Sequence, residues 1–162
     1  MGTPIETSDE HPITSRTSFP VLRRQPTRWA DNDHYGHVNN VVYYAYFDTA
    51  VNGYLIETCG TDIRTLPQIG IVVETGCRYL RSLSFPDELW VGLAVTRLGR
   101  SSITYRLGLF REDDEEPAAL GLFVHVYVDR EDRRPASVPE VIRAAVTPLL
   151  VAPDGGRASI AD

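Results

Sequence analysis

Lysine is missing from this chain: all sixteen basic residues are arginine, set against twenty-two acidic ones, for a formal net charge of −6. Without lysine, no mechanism built on a lysine nucleophile or Schiff base is available. The exclusive use of arginine reads as a bias in the coding sequence. The chain also lacks the positive excess that a nucleic-acid surface needs to displace counterions. A few arginine forks still suffice for a phosphate-bearing small molecule. Cysteine is scarce, with only Cys59 and Cys77. They have neither CxxC spacing nor a histidine cluster beside them, so neither a disulfide framework nor a zinc site is expected. No run of eighteen apolar residues occurs, and the start, MGTPIETSDEHPITS, is polar and acidic rather than a secretion signal. The expectation is a cytoplasmic protein with no membrane span. At 162 residues, 43% apolar and 23% charged, the composition is that of one globular domain with a sizeable core.

Periodicity divides the chain. Residues 1–16 carry no repeat pattern and read as a flexible arm; residues 151–162, with Gly155-Gly156, read as a flexible tail; a single domain is expected over 17–150. Residues 17–30 hold Phe19, Val21, Leu22 and Trp29 around Pro20 and Pro26, the mark of an irregular or edge strand. From Asn40 to Thr58 comes a long proline-free stretch, NVVYYAYFDTAVNGYLIET. Its apolar residues fall on most sides of a helical wheel, which predicts a buried helix capped by Asn39 or Asn40 and closed at Cys59-Gly60. Gly53, unfavourable inside a helix, predicts a close approach there. Everything after it has period two: 69–80, 89–98, 102–110 and 120–129 alternate and are separated by short turns. Four such segments predict an antiparallel sheet with one face on a core. In the last of them Leu120, Leu122, Val124, Val126 and Val128 are assigned inward, leaving Phe123, His125 and Tyr127 on an outer, subunit-contacting face. Pro139–Thr147 predicts a short final helix. The acidic run Glu112–Glu116 is a solvated hairpin turn. The fold class is α+β, a two-layer domain.

The chemistry concentrates just before the long helix. Between Arg28 and Asn40 stand two aspartates, two of the four histidines, asparagines and Gly36. Asp and Asn are ordinary turn and cap residues. A carboxylate beside a helix N-terminus, however, lies next to unpaired N–H groups that stabilise a developing oxyanion. That combination is the minimum equipment for hydrolysing an activated acyl group. Asp31 reads as a turn or salt-bridge residue. Glu74 reads as exposed, and Asp48 as arginine-paired or near a cleft.

The tract D-x-D-x-x-G-H-V-N-N-x-x-Y, Asp31 to Tyr43, resembles the active-site segment of the 4-hydroxybenzoyl-CoA thioesterase family of hotdog proteins. It is also similar to the D-x-N-x-H-V-N-N tract of plant acyl-ACP thioesterases. The stretch E-T-G-C-R-Y-L-R-S-L-S-F-P-D-E-L-W-V supports the likeness, which spans roughly residues 20–147. The resemblance implies an antiparallel sheet of about five strands wrapped around one long helix. It implies Asp33 as the catalytic carboxylate and His37 as the match to the plant-type histidine. Gly36, Val38, Asn39, Asn40 and Tyr43 would form the substrate site, with the Asn40 backbone N–H on the thioester carbonyl. Tyr35 stands where the plant motif has an asparagine, a departure from that pattern. The implied ligand is an acyl-CoA or acyl-carrier-protein thioester, with coenzyme A as part of the substrate rather than a cofactor and no metal. A homodimer or homotetramer with interfacial sites is implied too. Arg78, Arg81, Arg97 and Arg100 are candidates for the nucleotide phosphates. The alternatives are a hotdog hydratase or dehydratase and a non-catalytic acyl-CoA-binding protein.

Overall fold

A computed structural model describes residues 13–152; residues 1–12 of the expected arm and 153–162 of the expected tail lie outside the described residues. In chain order the elements are β1 (Val21–Pro26), α1 (Asn40–Cys59), β2 (Gln68–Tyr79), β3 (Glu88–Leu98), β4 (Ser102–Arg111), β5 (Ala119–Asp129) and α2 (Glu140–Val146), with short 3-10 turns before β1, on either side of α1 and after α2. The five strands form one antiparallel sheet in the order β1-β3-β4-β5-β2. The α+β class and the five-stranded sheet packed on one long helix agree with the sequence reading. Among the described residues, no helix is long and apolar enough to cross a membrane.

The long helix α1 starts where Asn39 accepts a hydrogen bond from the Val41 N–H, and it stops at Gly60, whose φ of 63° is left-handed. Its buried residues are Tyr43, Tyr46, Phe47, Ala50, Val51, Tyr54 and Leu55. They repeat at three- and four-residue steps and make a single stripe. The expectation of a helix buried on most sides is therefore corrected. The opposite face, with Val41 at 62% exposure and Ile56 at 47%, is open in the single chain. The stripe lies on Leu93, Tyr105 and Leu107 of the central strands, all fully buried. Close packing needs Gly121, since a Cβ there would stand 2.6 Å from the Phe47 ring. Gly53 serves the predicted close approach. Arg23 of β1 crosses it to make a two-point pair with Glu57 at 2.7 and 2.9 Å.

The facing of β5 is the reverse of the sequence assignment. Phe123, His125 and Tyr127 are 3–4% exposed and point to α1, because their partners on β4, Ile103 opposite His125 and Tyr105 opposite Phe123, line the same core. Leu120, Leu122, Val124 and Val126 form the half-covered outer face. A second small cluster covers part of that outer face, where Ile13 and Phe19 pack on Ala94, Phe110 and Val151. Packing thus reaches back to Ile13, past the boundary drawn at residue 17, and forward to Val151. Phe19 fits only because Gly92 and Gly108 leave room beneath its ring. The acidic turn after β4 is exposed at Glu112 and Asp113, as expected.

Candidate active site

Everything at the site hangs from Asp31. It is 1% exposed and takes four hydrogen bonds: from the Arg28 N–H at 2.8 Å, from Arg28 Nε and Nη2 at 3.0 and 2.8 Å, and from the Tyr46 hydroxyl at 2.7 Å. Burial works against its charge, but the bonds from Arg28 and Tyr46 outweigh burial and hold its pKa below the usual carboxylate range. The same contact, added to burial, pushes the Tyr46 phenol well above its ordinary value. The salt-bridge role read for Asp31 is thus what the fold displays. Its backbone carbonyl accepts the Asn39 N–H at 2.8 Å, which ties the loop's entry to its exit.

Between these ends the chain makes a small hairpin. Asn32 bridges to Val38, and the Asp33 N–H donates to the His37 carbonyl at 2.8 Å. The tip turns through Gly36, whose φ of 85° suits a residue without a Cβ. Asp33 is half-buried. One carboxylate oxygen, Oδ1, accepts the Tyr35 N–H at 2.8 Å and the His37 N–H at 3.4 Å. That Asx-type turn fixes the side chain and leaves Oδ2 without a bond among the described residues. The segment after β2 braces the hairpin. Leu83 O accepts from Val38, Ser84 Oγ donates to Gly36 O at 2.8 Å, and the Phe85 N–H donates to Asn32 Oδ1 at 3.0 Å.

The exit arm feeds α1. Asn39 occupies the Val41 N–H through its side chain, and its carbonyl accepts the Val42 N–H at 2.9 Å. The Asn40 N–H has no acceptor among the described residues, so the helix start presents one free donor with the positive end of the helix dipole behind it. Tyr79 donates to the Asn40 carbonyl at 2.9 Å and packs edge-on against Tyr43, with centroids 4.9 Å apart.

The structure therefore brings Asp33, Gly36, His37, Asn39 and Asn40 to one end of α1. Val38 and Tyr43 are 4% and 3% exposed and sit in the core beneath the loop. His37 reaches the Asp33 carboxylate through its backbone N–H. Sequence reasoning missed the bracing by Ser84, Phe85 and Tyr79, although the L-S-F-P-D tract carrying part of it was in view. Among the four arginines considered for phosphates, Arg81 is paired with Glu116 and Arg100 bonds Ser137, whereas exposed Arg78 and Arg97 have no ion pair among the described residues. No group of three or more His, Cys, Asp or Glu side chains is placed to hold a metal among the described residues.

Comparison with known proteins points the same way. Residues 27–146 match the thioesterase-like superfamily. A crystal structure of the PA5185 protein from Pseudomonas aeruginosa is 48% identical, with 85% of this chain and 96% of that one covered at a TM-score of 0.82. A thioesterase from Thermus thermophilus, solved with coenzyme A and Zn, is 34% identical over 82% of this chain and 95% of its own, at a TM-score of 0.68. The uncharacterised protein YsmA from Bacillus subtilis is 27% identical over 75% of this chain and 82% of its own length. These likenesses support thioester hydrolysis as the general chemistry, and they agree with the hotdog fold implied by the Asp31–Tyr43 tract. With most of its length matched, from Thr27 before the anchoring Asp31 through α2, the chain belongs to the thioesterase-like superfamily.

Proposed function

We propose that the protein hydrolyses an acyl thioester of coenzyme A, or of an acyl carrier protein, to a free acid and a thiol, with Asp33 as the catalytic carboxylate. The carrying observation is the pairing of a half-buried Asp33, one oxygen fixed and one free, with an unpaired Asn40 N–H at the helix start. In the water route, Asp33 takes a proton from a water whose oxygen bonds to the thioester carbon. The carbonyl oxygen becomes an oxyanion that accepts the Asn40 N–H, and the C–S bond then breaks. A thiolate, whose conjugate acid titrates near about 8.5, leaves without strong acid assistance. In the nucleophilic route an Asp33 oxygen itself attacks, expels the thiolate and gives a mixed anhydride that water opens. His37, exposed on the same hairpin, is assigned to holding the attacking water or the substrate; Gly36 and Asn39 line the approach. Coenzyme A bound to the Thermus relative supports the choice of thiol.

A thiol-release screen over short, long and aromatic acyl-CoAs tests the reading, with kcat/KM of at least about 10⁴ M⁻¹s⁻¹ expected for the best substrate. No thiol release across the panel, with acyl carrier protein thioesters included, refutes it. One turnover in ¹⁸O-water then tests for direct attack. Label in the Asp33 peptide means direct attack with water opening the anhydride at the Asp33 carbon, whereas label confined to the product acid fits water attack on either the thioester or the acyl carbon of the anhydride.

A homodimer belongs to the same proposal. β2 is a twelve-residue edge strand bonded only to β5. Its Ile71, Val72 and Val73 are 38%, 46% and 55% exposed, and it contains neither lysine nor proline to blunt the edge. A second copy pairing antiparallel along β2 would satisfy that edge under twofold symmetry and cover the open face of α1. Light scattering is expected to give a dimer or tetramer. Ile71→Lys with Val73→Lys is expected to give a monomer with at least about tenfold less activity. A native monomer with full activity would remove the interfacial site.

A further inference from the structure

A cavity of about 300 Å³ lies between α1, β2 and the end of β5. Its Asp48 is eight residues along α1 from Asn40, hence about 12 Å down the helix axis from the free amide. The lining is apolar at Leu55, Ile69 and Ile142 and polar at Asp48, Asn52, Gln68, His125, Arg64 and Arg130. Arg64 is paired with Asp62, and Arg130 is bonded to the Leu66 and Arg64 carbonyls. His125 is 4% exposed, and its Nε2 has no hydrogen-bond partner. Buried ring nitrogens are normally satisfied, and an orphan is costly to keep. The ring packs between Tyr105 and Phe123, at centroid distances of 5.1 and 6.2 Å. Burial lowers its pKa from 6.5, with nearby Asp48 opposing, so the ring is neutral at pH 7. The Asp48 carboxylate is in turn steadied by Asn52 Nδ2 at 3.1 Å. None of these groups serves the Asp33 hairpin.

We propose that this cavity receives the acyl group and that His125 selects acyl groups bearing a neutral hydrogen-bonding substituent, a hydroxyl or carbonyl remote from the thioester. The assignment rests on the hydrolase reading above. A plain hydrocarbon filling the pocket would leave Nε2 unpartnered. An ionised substituent would lose its hydration against an uncharged ring. A hydroxyl or carbonyl meets the nitrogen at neither cost, and either tautomer serves one of them. Discrimination of this origin, one buried hydrogen bond made or missed, is worth about ten- to hundredfold in kcat/KM.

The test uses two matched pairs: 10-hydroxydecanoyl-CoA against decanoyl-CoA, and 4-hydroxyphenylacetyl-CoA against phenylacetyl-CoA. In at least one pair the native enzyme is expected to favour the hydroxylated member by about ten- to hundredfold. His125→Phe should shrink that preference to within about threefold, largely by slowing the hydroxylated substrate, while His125→Gln should retain part of it. Equal kcat/KM within both pairs, or a preference that survives His125→Phe, overturns the proposal. A second measurement guards against a variant that does not fold. The ¹⁵N resonance of His125 Nε2 in the native protein should move with the thioether analogue of the preferred hydroxylated ligand and not with its unsubstituted partner. No movement at saturation also overturns it. Absent turnover with a shifted His125 resonance would sink the hydrolase reading and leave the pocket standing; turnover without discrimination would do the reverse.

Discussion

Asp33→Asn is expected to lower kcat by at least about a hundredfold, the scale of a lost acid–base or nucleophilic group. The substitution isolates the chemistry because the geometry survives it. An asparagine Oδ1 can still accept the Tyr35 and His37 N–H groups that now hold the Asp33 carboxylate at 2.8 and 3.4 Å. The hairpin, the Gly36 turn and the Asn40 amide should therefore stay in place. What is lost is the free oxygen's ability to take a proton or to attack. Such a loss falls on kcat and leaves KM within a few-fold, with an unchanged melting temperature. His37→Ala should cost less, within about tenfold, since the ring does not touch Asp33 and the backbone N–H that does is retained. Native-like turnover by Asp33→Asn on the best substrate would remove Asp33 from the mechanism. A fall in melting temperature as large as the fall in rate would instead mark it as a structural residue.

Much of this site is legible in the chain because its signals are local. The Asp31–Asn40 tract needs only a turn, a glycine and a cap, and each of those is decided by neighbours in sequence. The length of α1 is legible too, bounded by Asn39 and Gly60. The last four strands are legible within a residue or so, because period two survives any packing, whereas β1, broken by prolines, was bounded only loosely within 17–30. Which face of a strand turns inward is a different question. In β5 both faces are apolar, so alternation separates Phe123, His125 and Tyr127 from Leu122, Val124 and Val126 without ranking them. The ranking comes from register: Ile103 and Tyr105 stand opposite His125 and Phe123 and commit that face to α1. Along β2 an irregularity between Val72 and Glu74 puts Val72, rather than Val73, opposite His125. One unpaired residue of that kind moves every side chain before it to the other face. The cavity beneath Gly70 and Val72 was hidden for the same reason, since three elements far apart in sequence build it. Ile13 was missed, and Phe19 was read only as part of an irregular strand, because a pattern search needs a run and these two cover the sheet singly.

Asp31→Asn should destabilise the fold by about 2–4 kcal/mol, and the deficit should depend on pH in a definite direction. The carboxylate now accepts the Arg28 backbone and side-chain donors and the Tyr46 hydroxyl at once. An amide in its place must present an NH₂ group to one of those donors and gives up the charge-assisted bonds. Arg28 is left largely solvated, its side chain being 74% exposed, so the penalty comes from the buried end of the network and not from a stranded cation. The pKa of Asp31 is lower in the folded protein than in the unfolded chain. Its contribution is therefore complete above the unfolded value of about 3.9 and is lost as pH falls through the folded value. Native protein and Asp31→Asn should differ most at neutral pH and converge on acidification below about pH 4. Urea unfolding at several pH values, read by Trp fluorescence, measures the gap directly. A constant gap from pH 7 to pH 3 would mean that the charge of Asp31 contributes nothing. Because the Asp31 carbonyl and carboxylate together fix both ends of the Asp33 hairpin, the variant should also lose activity below its melting transition, in proportion to how far Asp33 and Asn40 are freed to drift apart.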